Sequence, residues 1–210
     1  EDVVVRVDGK DYHPVDCFIR SKELMPERNA MFWMYLTYAK INYKDEISRY
    51  DPIENKLLED DSSAADVYTA VQCAQVGVDL DPDYQYAWAA AAAAIIPPFN
   101  APDGYVPLTV TVNGRRYDHF AALRENLILN PESWSAWSIM SKTLKSDAES
   151  IEFDGIAYNR VHCVERSLNL RYKDNDAAWM RAGRFLDWKS KQTITVEGKE
   201  FTAAECSAMS

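Results

Sequence analysis

The sequence predicts an all-α solenoid of stacked helical hairpins, with short β-hairpins inserted along one edge. Aromatic, cysteine, leucine, proline and tryptophan residues recur at fixed spacings through most of the 210 residues. Between these marks, apolar residues stand at helical intervals, and prolines follow the expected helix ends. A repeated pair of helices cannot bury its apolar face alone, so successive pairs are expected to stack.

The first mark of the repeat is an aromatic residue followed five positions later by a small residue. All four cysteines of the chain occupy the second position, and alanine occupies it in a fifth copy. The pairs are Tyr12 with Cys17, Tyr68 with Cys73, Tyr117 with Ala122, Tyr158 with Cys163, and Phe201 with Cys206. A position shared by cysteine and alanine is typical of a small buried helix residue, so we predict reduced thiols without disulfides or a metal.

A tryptophan is the second mark, and it follows each predicted turn between two helices. The four copies are Trp33, Trp88, Trp137 and Trp179. Proline precedes the tryptophan by six or seven residues in the first three copies, and Tyr172 takes its place in the fourth. The predicted helix from Tyr68 to Leu80 ends before Pro82, and an alanine-rich helix from Tyr86 to Ile96 ends at the next two prolines.

Between the helix pairs, the sequence predicts β-hairpins. Thr109 to Val112 alternates polar and branched residues, Asn113-Gly114 is a two-residue turn signal, and Arg115 to Tyr117 is the returning strand. Comparable turns stand at Asp8-Gly9, Asp154-Gly155 and Glu197-Gly198. We predict that the segment from Asn42 to Ala64 lacks this hairpin and contains a polar loop from Glu59 to Ser63.

These spacings resemble the tetratricopeptide repeat family, whose pattern is W-x2-L-G-x2-Y, then A-x3-F, a small residue and a final proline. Three residues after the tryptophans stand Leu36, Ala91, Met140 and Ala182, and four after them stand the small residues Thr37, Ala92, Ser141 and Gly183. In the second helices, Phe18, Ala74, Leu123 and Val164 match the phenylalanine position, and Ser21, Gly77, Asn126 and Ser167 match the small one. The resemblance implies a right-handed superhelical solenoid whose units carry longer connections than the family standard.

On this resemblance the chain forms one solenoid over residues 1–210. Its parts are a partial unit at 1–26, units at about 27–81, 83–130 and 132–171, and a partial unit at 174–210. Both ends cut through a unit, so we expect a piece of a longer solenoid.

Charge and motifs narrow the classes of function. A net charge of −10 disfavours nucleic acid and anionic membranes as partners, because both select a basic face. The longest apolar stretch, Ala87 to Ile96, is too short to span a bilayer, and nothing at the start resembles a signal peptide. Hydrolase, nucleotide-binding and metalloprotease motifs are missing, and His13, His119 and His162 share no repeat position. We therefore expect a cytoplasmic protein that is not an enzyme and needs no cofactor or metal.

The resemblance implies a protein-interaction scaffold, or adaptor, that binds a protein or peptide along its first helices. In that family, contact residues stand at set distances from the tryptophan, on the concave face. The candidate partner-binding residues are Met34, Tyr38, Tyr86, Ser138, Lys142, Lys145, Met180, Arg184 and Trp188. Lys142 and Arg184 occupy the same slot of successive units, which is either chance on a solvated face or a site for an acidic peptide. The alternative function is structural: self-association through exposed edges of the hairpins.

Overall fold

The computed structural model describes residues 5–7, 10–12, 29–42, 50–51, 56–57, 68–98, 104–186 and 192–209. The chain divides into two compact units, residues 1–122 and residues 123–210. Eight helices and ten strands lie in the described ranges, and every strand belongs to one of five two-stranded antiparallel sheets.

The prediction of an all-α chain is wrong, because the described residues include five two-stranded sheets and two of the hairpins bury side chains in the core. In β5 (Val110–Val112), Val110 and Val112 are buried while the residue between them is exposed, and β9 (Thr193–Val196) buries Ile194 and Val196 in the same alternation. These strands contribute side chains to the hydrophobic core, as the helices do. The described residues thus form units of mixed α/β content, and a solenoid is not among the features they show.

The first unit begins with the hairpin of β1 (Val5–Val7) and β2 (Lys10–Tyr12). The elements after it are α1 (Ala30–Asn42), β3 (Tyr50–Asp51), β4 (Lys56–Leu57), α2 (Ala70–Leu80), α3 (Gln85–Ala94), β5 and β6 (Arg115–Tyr117). Helices α1, α2 and α3 pack against one another. Six consecutive buried alanine or tryptophan residues of α3, from Ala87 to Ala92, let its neighbours approach closely.

Helix α4 (His119–Leu129) contains the division between the units. The elements of the second unit are α5 (Trp134–Thr143), β7 (Ser150–Phe153), β8 (Ile156–Asn159), α6 (Arg160–Leu170), α7 (Asp176–Phe185), β9, β10 (Lys199–Thr202) and α8 (Ala203–Ala208). Each of α6, α7 and α8 packs on the helix before it. Gly183 on α7 allows the closest approach, because a Cβ atom there would lie 3.2 Å from the Ala203 carbonyl oxygen. The small residue predicted at this position therefore matches the close packing of α7 on α8.

Three predicted hairpin turns have the backbone that their sequences indicate. Asn113, Asp154 and Glu197 have φ of 52°, 53° and 50°, and the glycine after each also has positive φ. Two successive residues with positive φ define the type I′ turn, which matches the twist of the flanking strands. The strands β1 and β2 pair as predicted, with Val7 opposite Lys10.

The prediction that no hairpin lies between Asn42 and Ala64 is wrong. Tyr50 pairs with Leu57 and Asp51 with Lys56, which makes β3 and β4 a short hairpin. The four residues between these strands contain no Asn-Gly or Asp-Gly pair, the only signal on which the prediction rested. The predicted polar loop at 59–63 lies outside the described residues.

Three of the repeated tryptophans join the turn before them to the hairpin after them. The indole N–H of Trp88 donates to the Pro82 carbonyl at 2.7 Å, and Trp137 and Trp179 donate equivalently to Pro131 and Tyr172 at 3.1 and 3.0 Å. The ring of each of the four tryptophans packs on the aromatic residue that begins the next copy of the repeat. Centroid distances are 5.3 Å for Trp33–Tyr68, 4.8 Å for Trp88–Tyr117, 4.7 Å for Trp137–Tyr158 and 5.0 Å for Trp179–Phe201.

The prediction of buried, unpaired thiols is confirmed for three of the four cysteines. Cys73, Cys163 and Cys206 are free and fully buried, and Cys17 lies outside the described residues. Burial raises the pKa of Cys73 and Cys163 to about 12 and that of Cys206 to about 11. In the described part of the chain, no helix combines the length and the apolar character that crossing a bilayer requires.

Candidate functional site

The predicted partner-binding residues of the first unit differ in accessibility. Tyr86, in the first turn of α3, is 51% exposed. Met34 is buried in α1 at 7% exposure, so it packs in the interior and is not available to a partner. Tyr38 is half-buried, and burial raises the pKa of its hydroxyl.

In the second unit, the helices present several of the predicted residues to solvent. Lys142, Lys145, Met180 and Arg184 are exposed. Ser138 is buried, and its hydroxyl accepts a hydrogen bond from the guanidinium of Arg181. Trp188 lies outside the described residues. The predicted cationic residues are therefore accessible, whereas Ser138 holds a neighbouring side chain.

A group of three tyrosines and a methionine lies on α1 and at the start of α3, and only its Tyr86 is among the predicted partner-binding residues. We call Met31, Tyr35, Tyr84 and Tyr86 the tyrosine surface. Met31 is 37% exposed, and Tyr35 and Tyr86 are each 51% exposed. The rings of Tyr84 and Tyr86 meet edge to face with centroids 5.5 Å apart. Burial raises the pKa of the Tyr84 hydroxyl, and its neighbours Tyr35, Tyr86 and Asp81 raise it further.

The packing of the two helices explains why these side chains face solvent. Met31 and Tyr35 are four residues apart on α1 and so share one face. Phe32, Trp33 and Leu36 on the opposite side are almost completely buried. On α3, Ala87 and Trp88 point into the core, which leaves Tyr86 outside. Because α1 and α3 pack side by side, their outward faces combine into one aromatic surface.

Tyr84 starts α3 without the usual polar cap. It occupies the N-cap position and makes no capping hydrogen bond with its side chain. By contrast, the second helices of the units begin at residues that do accept such bonds: Thr69, Asp118, Asn159 and Thr202. At the same position of the first helices α5 and α7, Ser133 and Asn175 also make no capping hydrogen bond, so these three first helices share the absence of a side-chain cap.

Comparisons with known proteins assign no function to this surface. No protein-family model matches the chain, and neither the curated proteins nor the solved structures yield a match. The resemblance to tetratricopeptide repeats stays a prediction from residue spacing.

Cations of the second unit are partly engaged in contacts within the fold. Arg160 donates to the Asp147 carboxylate at 2.6 Å and lies over the Phe185 ring at 4.8 Å. Arg171 lies 4.6 Å from the centroid of Trp134. Burial lowers the pKa of Arg181, whose buried Nε atom has no hydrogen-bond partner. These contacts hold α5, α6 and α7 in place, whereas the predicted cations Lys142, Lys145 and Arg184 are exposed to solvent.

A cleft of about 210 Å³ in the second unit is a weaker candidate. Its lining includes Asp147, His162, Glu165 and Leu186. Asp147 is paired with Arg160, and Glu165 accepts from the Thr195 backbone N–H at 3.2 Å. No set of three or more potential metal ligands clusters within the described ranges. Asp147 therefore holds Arg160 at the start of α6, and Glu165 serves the packing of β9 on α6.

Proposed function

We propose that the chain is a protein-interaction module whose tyrosine surface docks a peptide or protein partner. The observation that carries the proposal is the exposure of Tyr35 and Tyr86 on adjacent helices, beside Tyr84 and Met31. Aromatic residues are enriched where partners bind most strongly, because they bring a large contact area with few rotatable bonds. An exposed cluster of them on a monomer is typical of an interaction site.

The area of the tyrosine surface limits the binding free energy that it can contribute. An aromatic side chain buries about 150–250 Å², so covering the exposed half of one tyrosine gains roughly 2–3 kcal/mol. Tyr35 and Tyr86 together would supply about 4–6 kcal/mol. Association costs at least about 4 kcal/mol, so a micromolar partner needs further contacts. Met31, Tyr84 and half-buried Tyr38 lie on the same two helices and are the nearest sources.

The resemblance to tetratricopeptide repeats supports the same location. In that family the first helix of each unit lines the ligand groove, and α1 and α3 match first helices by their Trp33 and Trp88. The three buried thiols support a reducing, cytoplasmic compartment as the place of action.

The test measures how strongly three purified forms of the full chain enrich a partner protein from cell extract. They are the unmodified protein, the double variant Y35A/Y86A, and the control I156A. Ile156 is 55% exposed on β8 of the other unit, so the control removes a comparable apolar side chain elsewhere. We expect Y35A/Y86A to lose at least about tenfold of the partner enrichment, which corresponds to 1.4 kcal/mol, with I156A unaffected. Equal enrichment by all three forms, each folded by circular dichroism, would refute the proposal.

A further inference from the structure

The charges of the chain are divided unequally between its two units. Residues 1–122 contain 20 Asp and Glu against 11 Lys and Arg, whereas residues 123–210 contain 13 against 12. The first unit therefore carries nine of the ten net negative charges. The tyrosine surface belongs to this acidic unit.

The asymmetry is greatest in the stretch of sequence that contains Tyr84 and Tyr86. From Leu57 to Gly114 the chain has eight Asp or Glu residues and neither Lys nor Arg. Asp79, Asp81 and Asp83 lie at the end of α2 and in the turn that leads directly into Tyr84, and all three are exposed. The Tyr84 backbone N–H donates to the Asp81 carbonyl at 3.1 Å. One oxygen of Asp81 accepts from the Asp83 backbone N–H at 3.2 Å, which fixes the turn.

We infer that the tyrosine surface selects a cationic peptide segment, with an Arg or Lys side chain stacked on its rings and facing Asp81 and Asp83. This inference rests on the proposed function and specifies the chemistry of the partner. An aromatic face attracts a cation through its negative quadrupole, and a neighbouring carboxylate adds to the attraction. An acidic segment would meet only like charge between Leu57 and Gly114.

The same chemistry already operates within the fold, where the chain supplies both sides. Arg115 lies 5.1 Å from the ring centroid of Tyr117, and Lys173 lies 5.5 Å from that of Tyr172. In the described part of the first unit, the only Lys or Arg in helices α1 to α3 is Lys40, which is buried. Within these three helices no exposed cation stands beside the rings of Tyr35 and Tyr86, and a partner can supply one.

A second copy of the chain is the main competing occupant. The second unit is nearly neutral and exposes Lys142 and Arg184, so it offers some cationic surface. Light scattering over a wide concentration range separates this case. If the unmodified chain forms a dimer and Y35A/Y86A is a monomer, the occupant of the tyrosine surface is another copy of the chain, which would overturn the inference.

The direct experiment selects binders to the full chain from a random twelve-residue peptide display library. We expect the selected peptides to be enriched in Arg and Lys, and their binding to weaken in Y35A/Y86A. The variant D81N/D83N keeps the side-chain shape and the turn hydrogen bond but removes two charges. For a selected peptide we expect its affinity to fall about three- to tenfold, as the loss of two exposed charge pairs implies. The control E152Q/E200Q removes two exposed charges of the second unit and should leave affinity unchanged.

The outcomes separate the inference from the function on which it rests. Neutral or acidic peptides that depend on Tyr35 and Tyr86 would overturn the inference and leave the interaction surface in place. Cationic peptides that bind D81N/D83N as tightly as the unmodified chain would also overturn it. Peptides of any charge that bind Y35A/Y86A normally, or a selection that yields no binder, would count against the proposed function itself.

Discussion

The repeated tryptophans act at the scale of single residues by fixing two neighbours at once. The Trp88 indole donates its N–H to the Pro82 carbonyl and packs its ring on Tyr117, and Trp137 and Trp179 repeat both contacts. The turn between two helices and the start of the next hairpin are thereby joined through one side chain. This explains why the tryptophan recurs while the loop lengths vary.

Replacing Trp88 by alanine should destabilise the chain by about 3–5 kcal/mol, the usual cost of emptying a buried aromatic site. Trp88→Phe should cost less, because it keeps most of the contact with Tyr117 and loses mainly the hydrogen bond to Pro82. Urea denaturation of the three proteins measures the difference. A midpoint for Trp88→Ala close to that of the unmodified chain would show that this side chain does not support the fold.

The buried thiols predict how stability depends on pH. The folded-state pKa of Cys73 and Cys163, about 12, lies above the ordinary value of 9.0. Below pH 9 both states hold the proton, so these groups leave stability unchanged. Between pH 9 and 12 only the unfolded chain releases it, which favours unfolding, so stability falls as pH rises.

The double variant C73A/C163A should remove the part of the stability loss above pH 9 that comes from these two thiols. Alanine is tolerated at this position of the repeat, as Ala122 shows. Urea denaturation at pH 7.5 and pH 10 gives the comparison, with the unmodified chain losing more stability than the variant. An equal loss in both proteins would mean that the thiols ionise normally in the folded state.

The burial of most repeated residues could be predicted from the sequence, and the residues that were missed have a physical reason in common. The tryptophans and cysteines recur at fixed spacings, so their burial followed from the pattern. Tyr35 and Tyr84 match no repeat position, and their proximity depends on how α1 and α3 pack. A single-helix pattern shows that Tyr35 points away from Leu36, but it does not show what lies beside it.

At the scale of elements, side chains of the second helices hold the hairpins that follow them. The Gln75 amide of α2 donates to the Thr111 carbonyl and accepts from the Thr111 N–H, both at 2.7 Å. Asn169 of α6 donates to the Thr195 carbonyl at 2.7 Å, and Glu165 accepts from the Thr195 N–H. Cys73 and Cys163 precede Gln75 and Glu165 by two residues, so the contact is part of the repeat.

Gln75→Ala should loosen the hairpin of β5 and β6 without unfolding the chain. Losing two exposed hydrogen bonds costs about 1–2 kcal/mol. In native-state hydrogen exchange, the Thr111 amide should exchange about five- to thirtyfold faster, while the Thr195 amide, held by Glu165, serves as an internal control. Unchanged exchange at Thr111 would show that the bond to Gln75 does not protect it.

The hairpins also show where prediction from local sequence succeeds and fails. Asn-Gly, Asp-Gly and Glu-Gly pairs marked three turns whose backbone requires positive φ at two residues. The hairpin of β3 and β4 has no such pair, so its pairing was missed. Classing the chain as all-α failed for a different reason: the apolar faces of the hairpins pack into the core, and local patterns do not reveal that packing.

At the scale of the whole molecule, aromatic residues and charge are distributed between two units. The first unit combines an exposed aromatic surface with nearly all the excess acidity, and the second exposes the cations Lys142 and Arg184. Composition alone gave the net charge of −10 but not its location beside the tyrosines. The sequence analysis considered an acidic peptide at the second unit, whereas the surface of the first unit favours a cationic partner.

Reversal of charge at the second unit tests that earlier hypothesis separately. If the tyrosine surface is the docking site, K142E/R184E should bind every peptide selected on the full chain, acidic ones included, with unchanged affinity in fluorescence anisotropy. A loss of tenfold or more, with folding intact by circular dichroism, would place the binding site on the second unit instead.

Site-specific photocrosslinking tests the central claim, docking at the tyrosine surface, most directly. Benzoylphenylalanine is placed at position 35, 86 or 156 of the full chain, and each form is irradiated in cell extract. The account predicts adducts of the same partner from positions 35 and 86 and none from 156, with adducts suppressed by excess unmodified protein but not by excess Y35A/Y86A. Absence of adducts at 35 and 86, or equal adducts from 156, would contradict it.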